Sequence, residues 1–508
     1  MKSMFHSGAP QDHASPASVV TRRQFLLSTA ALTASLGCQV RYTAAQNPMN
    51  VVVFLADSFR ADHLGCNGHA VRATPNVDAL ARDSIVFDRC YSQCCWTKPS
   101  IGSLFSGMLP QVHQAGLSDW DLDKINDVPV QMLRPCFSTL AERLQLLGYH
   151  TAYFLANSHV QERFGFARGF DHYRFENGWA PEDQMREAIR WLRKEAREPF
   201  FLFIHEIDPH APYTPSPEHY QRLFGRSQDQ AWAALPSADR ADLDRAANAP
   251  TWHDDEPLSP ASRGFVKTGF DRPSLSAASK AYRRSLYEAE IVKVDEEFGR
   301  LMTRLQTLNL DDRTAVVFTS DHGECFGEHG WYGHANSLHE PEVRVPMILR
   351  LPAGMRRRER VPWTVSQFDL HPTLVSLAGG GVAEELRARP LLLSDGSLAV
   401  DGHRECLAAH GQPGQHISEW DLSLVRGPWK AHLSNTAKDL AVYNLYDDPG
   451  EDRNLIETRE ARDDVHRLLD RFERVREHEL VVSASYGEPA WVPGGHNYQE
   501  ELSALGYL

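Results

Sequence analysis

Apolar residues along this chain fall in short runs of strand length, each closed by polar residues with chemistry to offer. Met49–Ala56 reads MNVVVFLA and stops at Asp57. Gly148–Leu155, Pro199–Ile207 (PFFLFIHEI), Thr314–Thr319 (TAVVFT) and Val345–Arg350 repeat the pattern. Such runs, rich in β-branched and aromatic residues and without polar alternation, predict strands buried on both faces. Between them, Ala278–Leu305 carries apolar residues at helical spacing with charges elsewhere, which predicts a long amphipathic helix. A shorter helix-like segment lies around Asn76–Asp83. Strands alternating with helices predict an α/β fold: a large central, mostly parallel sheet flanked by helices. In such sheets ligands gather beyond the carboxyl ends of the strands. Asp57, Asp208, Asp321 and His322 all fall there.

Gly379-Gly380-Gly381 marks a boundary, after which the elements shorten. A strand over Ala441–Tyr446, a turn at Asp447-Asp448-Pro449-Gly450 and a helix over Arg459–Glu477 predict a smaller C-terminal α+β subdomain over 381–508. The expected catalytic domain spans 49–380. Residues 214–277, polar and rich in Pro, Ser, Ala, Asp and Arg, are expected as an insertion or lid over the site, with a mobile loop as the plainer alternative.

Before the first strand, Arg22-Arg23 precede Phe25-Leu26, a modest apolar run and small residues near Thr43-Ala44-Ala45. This predicts a signal peptide of twin-arginine type over 1–45, the twin-arginine export machinery as a partner, and a periplasmic or secreted protein. A retained anchor, or lipoprotein processing at Cys38, are the lesser alternatives. No apolar run of spanning length follows the first 50 residues, so no stable transmembrane span is expected after processing. The 508 residues are 42% hydrophobic and 24% charged, a globular composition. The net charge of -14 argues against a nucleic-acid partner. Seven of the eight cysteines lie beyond Cys38 at irregular spacing, which is no disulfide framework, though one bridge stays open.

Three clusters carry candidate chemistry. Asp57-Ser58-Phe59-Arg60 puts a carboxylate directly after a buried strand, where it serves a cation or caps a helix. Trp96-Thr97-Lys98-Pro99-Ser100 gathers hydroxyls before a helix of small residues, a favourable place for an anion or an ordinary cap. Ser320-Asp321-His322-Gly323 offers oxygen and nitrogen together to one metal, or simply makes a turn.

Jointly these clusters resemble the sulfatase family of the alkaline-phosphatase-like superfamily. VVVFLADSFRADHLGCNG is similar to the family's first metal-binding strand. ATPNVDALARDSIVFDRCYS, GYHTAYFLANSH, FGFARGFDHY, DPHAPY, FTSDHGE, EVRVPMILRLP and VSQFDLHPTL follow in the family's order, and YNLYDDPGEDRNL resembles its late signature. The resemblance covers about residues 49–508. It implies an ester hydrolase with a divalent metal.

The departures shape the expected mechanism. Sulfatases carry Cys, which becomes formylglycine, or Ser two residues before the proline, and Arg two after it. Here those positions are Thr97 and Ile101. Ser58 stands where sulfatases have a second Asp, and His322 where they have Asn. The resemblance then implies the Thr-nucleophile branch of the superfamily. A formylglycine hydrate expels sulfate by collapsing to the aldehyde, whereas a threonine ester needs water to attack the central atom. That favours phosphoesters over sulfate esters.

By resemblance, Asp57, Asp321 and His322 hold the metal, with Thr97 as nucleophile and further ligand. His210, in the family's Pro-His-x-Pro segment, and His334, one residue from a sulfatase lysine, contact the substrate or protonate the leaving group. Asn157 and His159, near the family's Lys-Trp-His stretch, and Lys98 bind substrate. A nitrogen ligand favours Mn²⁺ or Zn²⁺, with Ca²⁺ third. A second metal would draw on Asp208, His205 or His371, although Asp369-Leu370-His371-Pro372 reads better as a helix start. The expected function is hydrolysis of a small-molecule, glycan or lipid ester. A phosphoryl transferase, and a non-catalytic scaffold binding an anionic glycan, are the alternatives.

Overall fold

A computed structural model describes residues 49–116, 129–247, 275–411, 419–434, 439–458, 462–487 and 490–493. The leader expected over 1–45, with Arg22 and Arg23, lies outside them, as does 248–274 of the insertion.

Among the described residues the central sheet has nine strands: β1 (Asn50–Ala56), β2 (Ile85–Tyr91), β3 (His150–Leu155), β4 (His172–Phe175), β5 (Phe200–Glu206), β6 (Thr314–Thr319), β7 (Arg344–Val345), β8 (Met347–Arg350) and β9 (Glu359–Ser366). Their order is β7-β2-β8-β6-β1-β5-β3-β4, with β9 beside β2. The block β6-β1-β5-β3-β4 is parallel throughout. β8 runs antiparallel between β6 and β2, so the sheet is mixed beyond its parallel heart. Pro346 divides the single expected strand Val345–Arg350 into β7 and β8.

Both faces of the parallel block are covered, which explains its uninterrupted apolar runs. Val51, Val53 and Leu55 point into one core with Phe201, Phe203, Ala315 and Val317. Val52, Phe54 and Ala56 point into the other with Leu202, Ile204, Val316 and Phe318. The second core is closed by the expected long helix, α1 (Ala277–Thr307), through Tyr287, Ile291, Val294, Phe298 and Leu301. The described part of the insertion holds three helices, Pro217–Phe224, Gln228–Ala233 and Ser237–Ala247, of which the first and third pack against α1.

The C-terminal part forms a four-stranded antiparallel meander, β10 (Cys406–His410), β11 (Asp421–Arg426), β12 (Trp429–Ser434) and β13 (Asp439–Asn444). The helix Arg462–Ser485 lays Val465, Leu468, Phe472 and Val475 into the core shared with this sheet. All seven described cysteines are free thiols. No helix among the described residues is long and apolar enough to cross a membrane.

Candidate active site

Parallel pairing brings the site together. In the registers of β1, β5 and β6, Leu55 stands opposite both His205 and Thr319. Two residues past this level, at the carboxyl edge of the sheet, lie Asp57 and Asp321. Both are fully buried. Asp57, His205 and Asp321 each offer a ligand atom, all within 4.8 Å of one another.

Asp57 is the hub. Its Oδ2 accepts from Asn157 Nδ2 at 2.8 Å, from His205 Nε2 at 3.0 Å and from Thr97 Oγ1 at 3.4 Å. Its Oδ1 accepts from Ser58 Oγ at 3.1 Å and lies 3.5 Å from His322 Nε2. Burial alone would raise the Asp57 carboxyl. The His205 hydrogen bond and the fields of His210 and His322 reverse this and hold it well below its ordinary value. Asp321 goes the other way, raised by burial and by the Asp57 charge.

Thr97 is the first residue of α2 (Thr97–Ser106), a helix buried along its whole length. Its Oγ1 lies 3.3 Å from His322 Nε2 and 3.3 Å from Asn157 Nδ2. Ser100, one turn on, donates to the Asp321 carbonyl at 2.6 Å and so ties this helix to the β6 loop. Ile101, where sulfatases carry Arg, is fully buried in the apolar core.

The donor set fits a divalent cation. Asp321 Oδ2 is buried with no hydrogen-bond partner among the described residues. Asp321 Oδ1 accepts from the Ser58 and His322 amides at 3.2 and 2.9 Å, which orients the carboxylate. Ser58 adopts φ 59°, a left-handed conformation uncommon for a non-glycine residue, and thereby aims its amide at Asp321. His322 Nδ1 donates to the Gly323 carbonyl at 2.9 Å. This fixes the tautomer and turns the Nε2 lone pair to Asp57, Asp321 and Thr97. The buried carboxylates also repel one another, a cost that a cation would offset.

The expected residues gather unevenly. The His334 ring lies tilted against His322, with centroids 4.4 Å apart, and His210 lies 4.7 Å from His334. His334 Nδ1 faces Glu324 Oε2 at 3.4 Å. Burial opposes its charge, but Glu324 prevails and raises the His334 pKa. Burial lowers His210 to about 4, against the pull of Asp57. Asn157 bridges Asp57 and Thr97, and its Oδ1 accepts the His159 amide at 2.8 Å. His159 packs edge-on to Trp96 at 5.5 Å. Lys98 turns its ammonium over the Phe164 ring, 3.9 Å from the centroid. There, burial and Arg163 push its pKa well down.

Of the residues considered for a second metal, His205 belongs to the Asp57 cluster itself. Asp208 pairs with Lys293 at 3.5 Å, and His371 donates to the Phe105 carbonyl at 2.8 Å. Leu370–Leu377 is the helix expected there, with Asp369 at its N-cap. Glu324 and Tyr153 had no expected role. Tyr153 OH lies 3.4 Å from His205 Nδ1. By donating there it leaves Nε2–H to point at Asp57.

A sulfatase family profile matches residues 49–380, and a profile described as N-sulphoglucosamine sulphohydrolase, C-terminal matches 327–478. The chain is 22% identical over 510 aligned residues to an N-acetylglucosamine-6-O-sulfatase of Bacteroides thetaiotaomicron, covering 85% of this chain and 86% of that one. It is 23% identical to arylsulfatase K of Canis lupus familiaris, covering 80% and 78%. A solved structure of a protein in complex with its substrate D-glucosamine-2-N,6-O-disulfate superposes with a TM-score of 0.66 at 20% identity, covering 87% of this chain and 100% of that one. The phosphonate monoester hydrolase of Agrobacterium radiobacter superposes with a TM-score of 0.65 at 20% identity, covering 85% and 96%. With the family profile spanning the strands and the helix that place Asp57, Thr97, His205 and Asp321, this chain is a member of the sulfatase family, hydrolases of ester bonds built on the alkaline-phosphatase-like fold.

Proposed function

We propose that this chain is an exported, divalent-metal-dependent hydrolase of phosphate or sulfate esters, phosphoesters favoured, that works through Thr97 as covalent nucleophile. The observation carrying this reading is the placement of Thr97 Oγ1. It sits at the start of a buried helix, 3.4 Å from an Asp57 carboxylate oxygen and 3.3 Å from His322 Nε2. Asp57, Asp321 and His322 would hold the cation, with His205 adjoining. The His322 imidazole favours Mn²⁺ or Zn²⁺ over Ca²⁺. When bound, such a cation lowers the pKa of a neighbouring hydroxyl and draws charge from the ester's central atom.

The chain's own groups supply the rest. Asn157 orients both Thr97 and Asp57. Thr97 Oγ1 gives up its proton to solvent and forms a bond to phosphorus as the bond to the leaving oxygen breaks. The leaving oxygen takes a proton from His334, beside which His210 packs. Water then attacks phosphorus and returns a proton to His334, the bond to Thr97 breaks, Thr97 Oγ1 recovers its proton from solvent, and phosphate or its monoester leaves. Thr97 cannot follow the aldehyde route, which supports phosphorus over sulfur. The phosphonate monoester hydrolase with this fold supports the same choice, while the relatives named for sulfated sugars support an anionic glycan-type substrate. Assays with Mn²⁺ or Zn²⁺ on aryl phosphodiester, phosphomonoester and sulfate substrates test this. Turnover of the sulfate alone would overturn the phosphoester preference. Turnover of none of them, by metal-loaded protein, would overturn the hydrolase reading.

His334 provides a sharper check on roles. A proton donor must hold its proton, so activity on poor leaving groups persists below the His334 pKa and falls above it. Because Glu324 raises that pKa, the alkaline limb is expected above the ordinary imidazole value of 6.5. His334→Gln should slow alkyl esters by about 100-fold or more and nitrophenyl esters far less. Equal losses on both would assign His334 to binding instead.

Export is expected to need Arg22 and Arg23. Replacing both by Lys should leave the protein in the cytoplasm. Undiminished protein outside the inner membrane would remove the twin-arginine reading.

A further inference from the structure

Directly before Thr97, two adjacent cysteines meet a histidine from the C-terminal sheet. Cys94 and Cys95 lie in the loop joining β2 to α2, and His410 is the last residue of β10. One ligand atom from each lies within 4.8 Å of the others, and all three residues are buried. Both thiols are free. Apart from its contact with Cys94, the His410 ring has no hydrogen-bond partner among the described residues, although it is 5% exposed. A buried imidazole whose hydrogen bonding stops at a thiol, even with the Asp421 and Glu342 charges nearby, is costly unless something else engages it.

We propose that Cys94, Cys95 and His410 form a second metal site, separate from the Asp57 cluster, that takes a thiophilic cation such as Zn²⁺ or Cu⁺. Two sulfurs and one imidazole are a soft donor set, unlike the oxygen-rich set at Asp57. Metal–sulfur and metal–nitrogen bonds of about 2.3 and 2.0 Å need donors roughly 3.5–4 Å apart, a small contraction from the spacing seen. Binding Zn²⁺ releases the two thiol protons to solvent as two metal–sulfur bonds form. The dication and two thiolates then sum to zero charge, which suits a buried place. Ala409, Leu407 and Leu422 share the surrounding apolar core.

The loop geometry is already held for this. The Cys94 carbonyl accepts from Ser92 Oγ at 2.8 Å, and the Ala409 amide donates to the Gln93 carbonyl at 2.9 Å. The Cys95 carbonyl accepts the Ala335 amide at 2.9 Å, next to His334. A cation here would therefore clamp the nucleophile's loop to the C-terminal sheet. Its presence does not depend on what Thr97 does.

Cobalt(II) added to the reduced full-length protein separates the two sites, because only thiolates give a near-ultraviolet sulfur-to-cobalt charge-transfer band. The band is expected in the wild type, absent in a Cys94→Ser/Cys95→Ser variant, and retained in Asp321→Asn. His410→Asn should weaken cobalt binding at this site by at least about tenfold while leaving the thiolates in place. X-ray absorption of the zinc-loaded wild type should show sulfur at about 2.3 Å, a readout that needs no variant to fold. No charge-transfer band, a band unchanged without Cys94 and Cys95, or a zinc shell lacking sulfur would each overturn the site.

Discussion

Thr97→Ala is expected to lower turnover by a factor of about 10,000 or more, about 5.5 kcal/mol of transition-state stabilisation. The side chain is the only hydroxyl in contact with both Asp57 Oδ2 and His322 Nε2 among the described residues. Losing it removes the attacking oxygen and, with a cation present, one of its neighbours. Protein stability should move little, since the lost groups are small and the helix keeps its Ser100 anchor to Asp321. Thr97→Ser retains the oxygen and should keep partial activity. Quenching turnover at low pH, where release of the ester is slowed, should leave phosphate on the peptide containing Thr97, visible by mass spectrometry. A fully active Thr97→Ala enzyme would point to direct attack by water. Thr97→Cys restores a Cys-x-Pro-Ser core, but Ile101 remains where the modifying system reads Arg. Isoleucine has no guanidinium to offer there, so little formylglycine is expected.

Much of this was legible in sequence because of how the parallel block is covered. Helices and loops bury both faces, so β1, β5 and β6 read as continuous apolar runs, and the residues after them are read as strand ends. Asp57 and Asp321 follow neighbouring strands at the same level, which is why both could be placed. The strand Ile85–Tyr91 was not legible. Asp88 and Arg89 interrupt its apolar pattern: Asp88 pairs with the distant Arg360, and Arg89 donates to the Tyr91 hydroxyl two residues on, at 3.1 Å. His205 was visible only as a polar residue inside the run FFLFIHE. Its role follows from the β1–β5 register, which sets it opposite Leu55 and thus beside Asp57. No local pattern encodes that register. Glu324 likewise matters through His334, ten residues on, across a short hairpin, Cys325–Phe326 with Tyr332–Gly333. The Cys94–Cys95–His410 cluster joins positions more than three hundred residues apart and needs the meander docked on the β2–α2 loop to exist at all.

Asp321→Asn should separate the metal's contribution from the fold's. Asp321 and Asp57 are both buried, and the raised Asp321 carboxyl reflects burial and repulsion by Asp57. One Asp321 oxygen is held by two backbone amides, and an asparagine oxygen can accept both bonds. The other, Oδ2, meets no hydrogen-bond partner among the described residues and is the oxygen left to a cation. Amide nitrogen there cannot ligate, so affinity for Mn²⁺ or Zn²⁺ at this cluster should fall by about 100-fold or more, and turnover with it. Stability should respond with opposite sign. In metal-stripped protein the substitution removes one of two repelling buried charges, so the variant should unfold at the same temperature as the wild type or higher. In metal-loaded protein the wild type gains stability by mass action and the variant gains little at the same concentration. Melting both proteins with and without added Mn²⁺, beside metal analysis, distinguishes this from a purely structural role. A variant that loses stability equally in both conditions, while keeping its metal, would show that Asp321 holds the β6 loop and not the cation.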